Sequence, residues 1–111
     1  MEGLQYECPF EIALELVAGK WKGLILWALC EKTYRYSDLR REISGITQKM
    51  LTQNLRFMEG KGIVERKIYP QIPPKVEYSI TELGREIQPI LFMLQDWGRK
   101  VADSNDMKCK H

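Results

Sequence analysis

Histidine is nearly missing from this chain: the one copy is the last residue, His111. That takes the commonest base from any Cys/His or Ser/His nucleophile system and leaves a structural zinc site short of ligands. An enzyme is therefore not expected, and neither a metal nor a cofactor. Cysteine is scarce as well. Cys8, Cys30 and Cys109 have no close partners in the sequence, which argues against a disulfide framework and for a reducing cytoplasm. Long apolar runs are absent, since Leu24 to Cys30 is far shorter than the ~20 residues that span a bilayer. The start, Met1-Glu2-Gly3-Leu4, lacks a cationic stretch followed by an apolar one, so no signal peptide is expected. A cytoplasmic protein without a membrane partner follows. Repeats, low-complexity segments and linkers are missing too, and 111 residues suit one domain spanning 1–111.

What is present is an uneven charge. Lys32 to Lys75 holds ten Lys/Arg against four Asp/Glu, a net +6, while the remainder nets −4. A basic middle between acidic ends suggests one positive surface for a polyanion.

Within that middle, Thr47 to Glu59 reads as a helix. Spaced at about 100° per residue from Gln48, Gln48, Lys49, Thr52, Gln53 and Arg56 fall within roughly 0–140°. Met50, Leu51, Leu55, Phe57 and Met58 fall within roughly 180–340°, with only Asn54 intruding. One side is core. The other offers amides, a hydroxyl and two cations, a set without a carboxylate. Amides and Arg can bond a base edge at two points, and Lys can reach a phosphate or a guanine. On this stretch alone a solvated face explains the pattern as well as DNA reading does.

The neighbours bear on the choice. Residues 1–8 read as a short arm, and Cys8-Pro9 opens a helix because Pro suits a first helical position. In it Phe10, Ala13, Leu14 and Val17 share one side and Ile12 and Leu16 the other, so two packing partners are needed. Gly19 ends it, and Leu24 to Cys30 follows as a central buried helix. Tyr34-Arg35-Tyr36 predicts a brief strand. Ser37 is a plausible N-cap for the helix through Ile43, with Asp38 at its positive end. Ser44-Gly45-Ile46 then leads to Thr47 as N-cap of the next helix, a helix-turn-helix spacing. Gly60-Lys61-Gly62 stops that helix. Ile63 to Tyr69 and the alternating Val76, Tyr78 and Ile80 predict a hairpin, with the proline-rich Pro70 to Lys75 as its loop. The fold class is mainly α with a β-hairpin wing. Thr81-Glu82 starts the last helix, where Leu83, Ile87, Ile90, Leu91, Leu94, Trp97 and Val101 form a stripe about five turns long. So long a stripe exceeds the needs of one small core and points to a second subunit. Pro89 should kink or break this helix. Residues 104–111 read as a polar end.

These segments together resemble the HxlR-type winged helix-turn-helix transcriptional regulators. The resemblance runs from Cys8 to Arg99. It rests on Cys8-Pro9, Gly19-Lys20-Trp21, Tyr36-Ser37-Asp38-Leu39, Ile46 through Leu55, Gly62 through Arg66, Pro74 through Thr81, and Trp97-Gly98. It implies a cytoplasmic DNA-binding homodimer joined through its first and last helices. It also implies that the segment after Ile46 enters the major groove while the hairpin tip approaches the minor groove or backbone. On that basis residues of about 8–80 form the core, 81–103 the dimerisation helix, and Phe10, Leu14, Leu91, Leu94, Trp97 and Val101 the subunit contacts. Some members use a cysteine at the Cys8 position to sense oxidants or electrophiles. Here Glu7 and Glu11 flank it, and nearby carboxylates oppose thiolate formation.

The expected function is regulation of transcription by sequence-specific binding to double-stranded DNA, as a homodimer on a pseudo-palindromic operator. Gln48, Lys49, Thr52, Gln53 and Arg56 would meet base edges and adjacent phosphates. Arg35 and Ser37 would hold the backbone, and Lys67, Tyr69 and Lys75 would place the wing. Redox control at Cys8 is a second hypothesis, with a cysteine that merely seats the first helix as the plain alternative. A winged helix used only for protein–protein contact is the third. Trp21, Trp27 and Trp97 could line a cavity for a small-molecule effector, although helical tryptophans are more often core.

Overall fold

A computed structural model describes residues 8–106. Cys109, His111 and nearly all of the expected N-terminal arm lie outside them. The elements are α1 (Pro9–Val17), α2 (Lys22–Glu31), β1 (Tyr34–Arg35), α3 (Tyr36–Glu42), α4 (Gln48–Gly60), β2 (Val64–Tyr69), β3 (Lys75–Ile80), α5 (Glu82–Arg85) and α6 (Gln88–Ser104). Helices α3 and α4 with the turn between them form the helix-turn-helix. The wing is an antiparallel hairpin in which Val64 faces Ile80 and Tyr69 faces Lys75. β1 adds a third strand, with Tyr34 opposite Tyr78 and Arg35 opposite Glu77. The sheet order is β1-β3-β2.

Local chemistry explains most boundaries. Pro9 sits in the first turn of α1, where a missing N–H leaves no helical bond unmade. The Thr47 hydroxyl accepts from the Met50 N–H at 3.1 Å and starts α4. The Thr81 hydroxyl accepts from the Gly84 N–H at 3.0 Å and starts α5. Between α3 and α4, Gly45 has φ +87°, a left-handed conformation that a side chain would make costly.

The core forms around α2. Ile25, Leu26 and Leu29 from α2, Leu39 from α3, and Leu51, Leu55 and Met58 from α4 are all fully buried. Burial of one such side chain is worth about 1.5–3 kcal/mol, whereas an N-cap is worth about 1 kcal/mol. Packing through Leu51, Leu55 and Met58 therefore fixes α4 more strongly than its Thr47 cap does. α1 has no buried residue, and α6 has Leu91 alone.

Several expectations need correction. Tyr36 opens α3 instead of extending the strand, and the N-cap is Arg35, with no side-chain bond. Ser37 therefore lies inside the first turn and caps nothing; the chain passes directly from β1 pairing into helix. Asp38 is in the first turn as expected. The last helix is two helices, α5 and α6, with Pro89 in the first turn of α6. The break precedes the proline because only a first turn tolerates its missing N–H. Met50 is 37% exposed. It lies about 100° round from Leu51, off the edge of the buried strip. Leu24, in the first turn of α2, is 51% exposed. Val17 packs against the core instead of sharing the open side of Phe10 and Leu14.

Candidate nucleic-acid interface

Burial of Leu51, Leu55 and Met58 turns the opposite face of α4 outward. On it Gln48, Lys49, Gln53 and Arg56 are exposed and Thr52 is half-buried. Lys49 and Arg56 make no ion pair with any described residue. The face is not wholly free of carboxylate. The same angular count puts Glu59 at about 20°, near its C-terminal end. There Glu59 Oε2 meets Arg66 Nε of β2 at 3.4 Å, which neutralises it.

A cleft lined by Tyr36, Ser37, Arg40, Arg41, Ile46 and Gln48 lies where α3 meets the start of α4. Arg40 is exposed and unpaired among the described residues, while Arg41 pairs with Asp38. A hydroxyl, an amide and two guanidinium groups around one open cleft suit a phosphate oxygen. Arg40 and Arg41 were not among the sequence candidates. Their spacing from Ser37, i+3 and i+4, is the signal that would have found them. Tyr36 was missed as well. Its hydroxyl donates to the Gln48 carbonyl oxygen at 3.1 Å and bonds Thr52 Oγ1 at 2.8 Å, tying α3 to the first turns of α4. Arg35 is exposed beside this group and has no ion-pair partner among the described residues.

On the wing, Lys67, Tyr69 and Lys75 do come together, but around a carboxylate. Tyr69 Oη donates to Glu77 Oε1 at 2.9 Å, and Lys75 Nζ lies 3.2 Å from Glu77 Oε2. The Tyr69 hydrogen bond, then that from Lys75, hold the Glu77 carboxyl below the usual carboxylate range. Both ammonium groups sit over the Tyr69 ring, Lys67 at 5.0 Å and Lys75 at 4.7 Å from its centre. Lys75 is thus a neutralised cation, and Lys67 is the one without a carboxylate partner among the described residues.

A helix-turn-helix with an exposed amide-and-cation face is thus followed by a β-hairpin wing, and the chain matches the model of the HxlR-like helix-turn-helix family. That model matches residues 16–106. The chain belongs to this HxlR-like family, and so to the transcriptional regulators of helix-turn-helix type. It is 52% identical over 99 residues to YkvN, an uncharacterised HTH-type transcriptional regulator of Bacillus subtilis, covering 89% of this chain and 84% of that protein. Among solved structures, the redox regulator HypR in its reduced form superposes with a TM-score of 0.82 at 43% identity, covering 88% of this chain and 97% of HypR. Reduced YodB of B. subtilis, a transcriptional regulator, gives 0.73 at 36% identity, covering 83% and 91%.

Two further features of this HxlR-like chain stand apart from the outward face of α4. Cys8 is exposed and Cys30 is buried; burial pushes the Cys30 thiol up, partly countered by Arg85. The Cys8 N–H donates to Glu11 Oε1 at 3.4 Å. The second feature is an open apolar surface. Phe10 and Leu14 of α1 and Leu94, Trp97 and Val101 of α6 are exposed, whereas Leu91 is buried in the chain's own core. Of the three tryptophans, Trp27 lines a cavity. It lies between α2 and α6, about 160 Å³ in volume, and is edged by the Trp27–Phe92 contact. None of the described helices is long and apolar enough to cross a membrane.

Proposed function

We propose that the protein regulates transcription by reading a specific sequence in double-stranded DNA, with α4 in the major groove and the wing on the flanking backbone. The observation that carries this reading is the outward set Gln48, Lys49, Gln53 and Arg56, held by the fully buried Leu51, Leu55 and Met58 behind it. Side chains on a rigid helix can meet base edges in register, because each bidentate contact tolerates little displacement. Arg35, Ser37, Arg40 and Arg41 clamp a phosphate at the helix junction, and Lys67 anchors the wing. Tyr69 and Lys75 act more as wing supports than as direct contacts.

The protein works as a homodimer through α1 and α6. Ile90, Met93, Leu94, Trp97 and Val101 lie within about 100° of one another on α6 and are all exposed. A contiguous apolar stripe of this kind marks an interface. Residues of about 8–80 then form the reading unit, and the dimerisation segment is α6 preceded by the short α5. Two symmetric readers require a pseudo-palindrome with half-sites about 34 Å apart or a multiple of this.

A mobility shift on the chain's own upstream region tests the function. Gln53→Ala should weaken a specific site more than random DNA, whereas Lys67→Ala should weaken both alike. Equal losses from both would remove Gln53 as a base reader. A protein–protein module without DNA readout would show no salt-dependent binding at all.

Redox control is a second reading, favoured by the exposure of Cys8 against the burial of Cys30 and by the resemblance to HypR. Diamide should release wild-type protein from its site and leave Cys8→Ser bound. Release of both alike would remove Cys8 from the switch.

A further inference from the structure

The phenol of Tyr36 carries one proton. Its oxygen lies 3.1 Å from the main-chain carbonyl oxygen of Gln48 and 2.8 Å from Oγ1 of Thr52. A carbonyl oxygen only accepts, so the Tyr36 proton goes to Gln48. The bond to Thr52 must then use the threonine's own proton, donated to the Tyr36 oxygen. Threonine inside a helix often returns that proton to the carbonyl four residues back. Here that carbonyl is Gln48's, and the Tyr36 hydroxyl bonds to it and draws the Thr52 proton to itself. Thr52 has nothing left to donate. Beside the exposed Gln48, Lys49, Gln53 and Arg56 it presents lone pairs alone.

We infer that Tyr36 is a positioning residue that sets base preference: it fixes Thr52 as a pure hydrogen-bond acceptor on the reading face. A free threonine hydroxyl rotates to donate or accept and reads several base edges. A threonine held as an acceptor takes an amino group, adenine N6 or cytosine N4. It meets guanine O6, thymine O4 and phosphate oxygens as acceptor against acceptor. The inference rests on α4 being the element that enters the major groove.

Site selection from a randomised duplex library tests it, using wild type, Tyr36→Phe, Thr52→Val and the double variant. Wild type should prefer an amino-bearing base at one position of each half-site. Tyr36→Phe frees the Thr52 proton, so guanine and thymine become acceptable there. The preference there should drop about three- to tenfold, the weight of one hydrogen bond, a larger loss than at any other position or in random-DNA affinity. Thr52→Val should lose preference at the same position, and the double variant should lose no more than Thr52→Val. Replacing that adenine by purine, or that cytosine by pyrimidin-2-one, removes the amino group. It should weaken wild type by the same factor and leave Thr52→Val unaffected. A wild-type profile in Tyr36→Phe, or an even loss at every position, overturns the inference while DNA reading stands. If wild type selects no sequence, both fall.

Discussion

Near the tip of the wing, Glu77 lies diagonally across the hairpin from Tyr69, whose hydroxyl donates to Glu77 Oε1 at 2.9 Å. Lys75 holds the other carboxylate oxygen at 3.2 Å. One carboxylate thus ties both strands of the hairpin and offsets the charge of Lys75.

Glu77→Gln should therefore tighten binding to random DNA and steepen its salt dependence by up to about one ion, since Lys75 becomes free to neutralise a phosphate. Anisotropy titrations at several salt concentrations measure this. The same carboxyl has a pH signature. The Tyr69 and Lys75 hydrogen bonds hold it below the usual carboxylate range, so its contribution to stability is present above that range and fades as pH falls through the lowered folded value. The gap in melting temperature between wild type and Glu77→Gln should narrow on acidification in that window. A constant gap would mean that the ionised form is not what the wing uses.

Leu55→Ala should cost about 2–5 kcal/mol, because the side chain is fully buried and its removal leaves a cavity behind the reading face. Thr47→Ala should cost only about 1 kcal/mol, for the lost bond to the Met50 N–H. Urea titration of both variants ranks them, and the reverse order would mean that the cap, not the packing, holds α4.

Gly84 is a third point of sensitivity. It is buried where α5 crosses the sheet, and a Cβ there would overlap the Ile63 carbonyl oxygen and come within 2.7 Å of Ile80 Cγ1. Gly84→Ala should destabilise by about 1–3 kcal/mol, since the clash is with backbone that cannot rotate away. At about 4–8 °C per kcal/mol for a domain this small, thermal melting resolves it easily. An unchanged melting temperature would show that α5 can shift freely.

Trp97→Lys tests the apolar surface of α6. The side chain is 65% exposed in the protomer, so its replacement should leave the fold intact. In the proposed homodimer it would place a charge within an apolar contact, which is expensive without a partner. Light scattering at micromolar concentration should find a dimer for wild type and a monomer for the variant. A wild-type monomer would remove the two-fold operator from the account.

Much of this fold was written in short-range chemistry. Threonine and proline positions, Gly45 in its turn and the alternation of Val76, Tyr78 and Ile80 announced a winged helix because caps, turns and pleats depend on neighbours a few residues away. The division of α4 into a buried and an outward face was legible for the same reason. Only the tertiary structure could move the start of α3 to Tyr36, place Leu91 inside the protomer, bring Glu77 between Tyr69 and Lys75, or set the Tyr36 hydroxyl against Gln48 and Thr52. Those relations join residues distant along the chain or packed from separate elements. Periodicity records which way a side chain points, but not what it will meet.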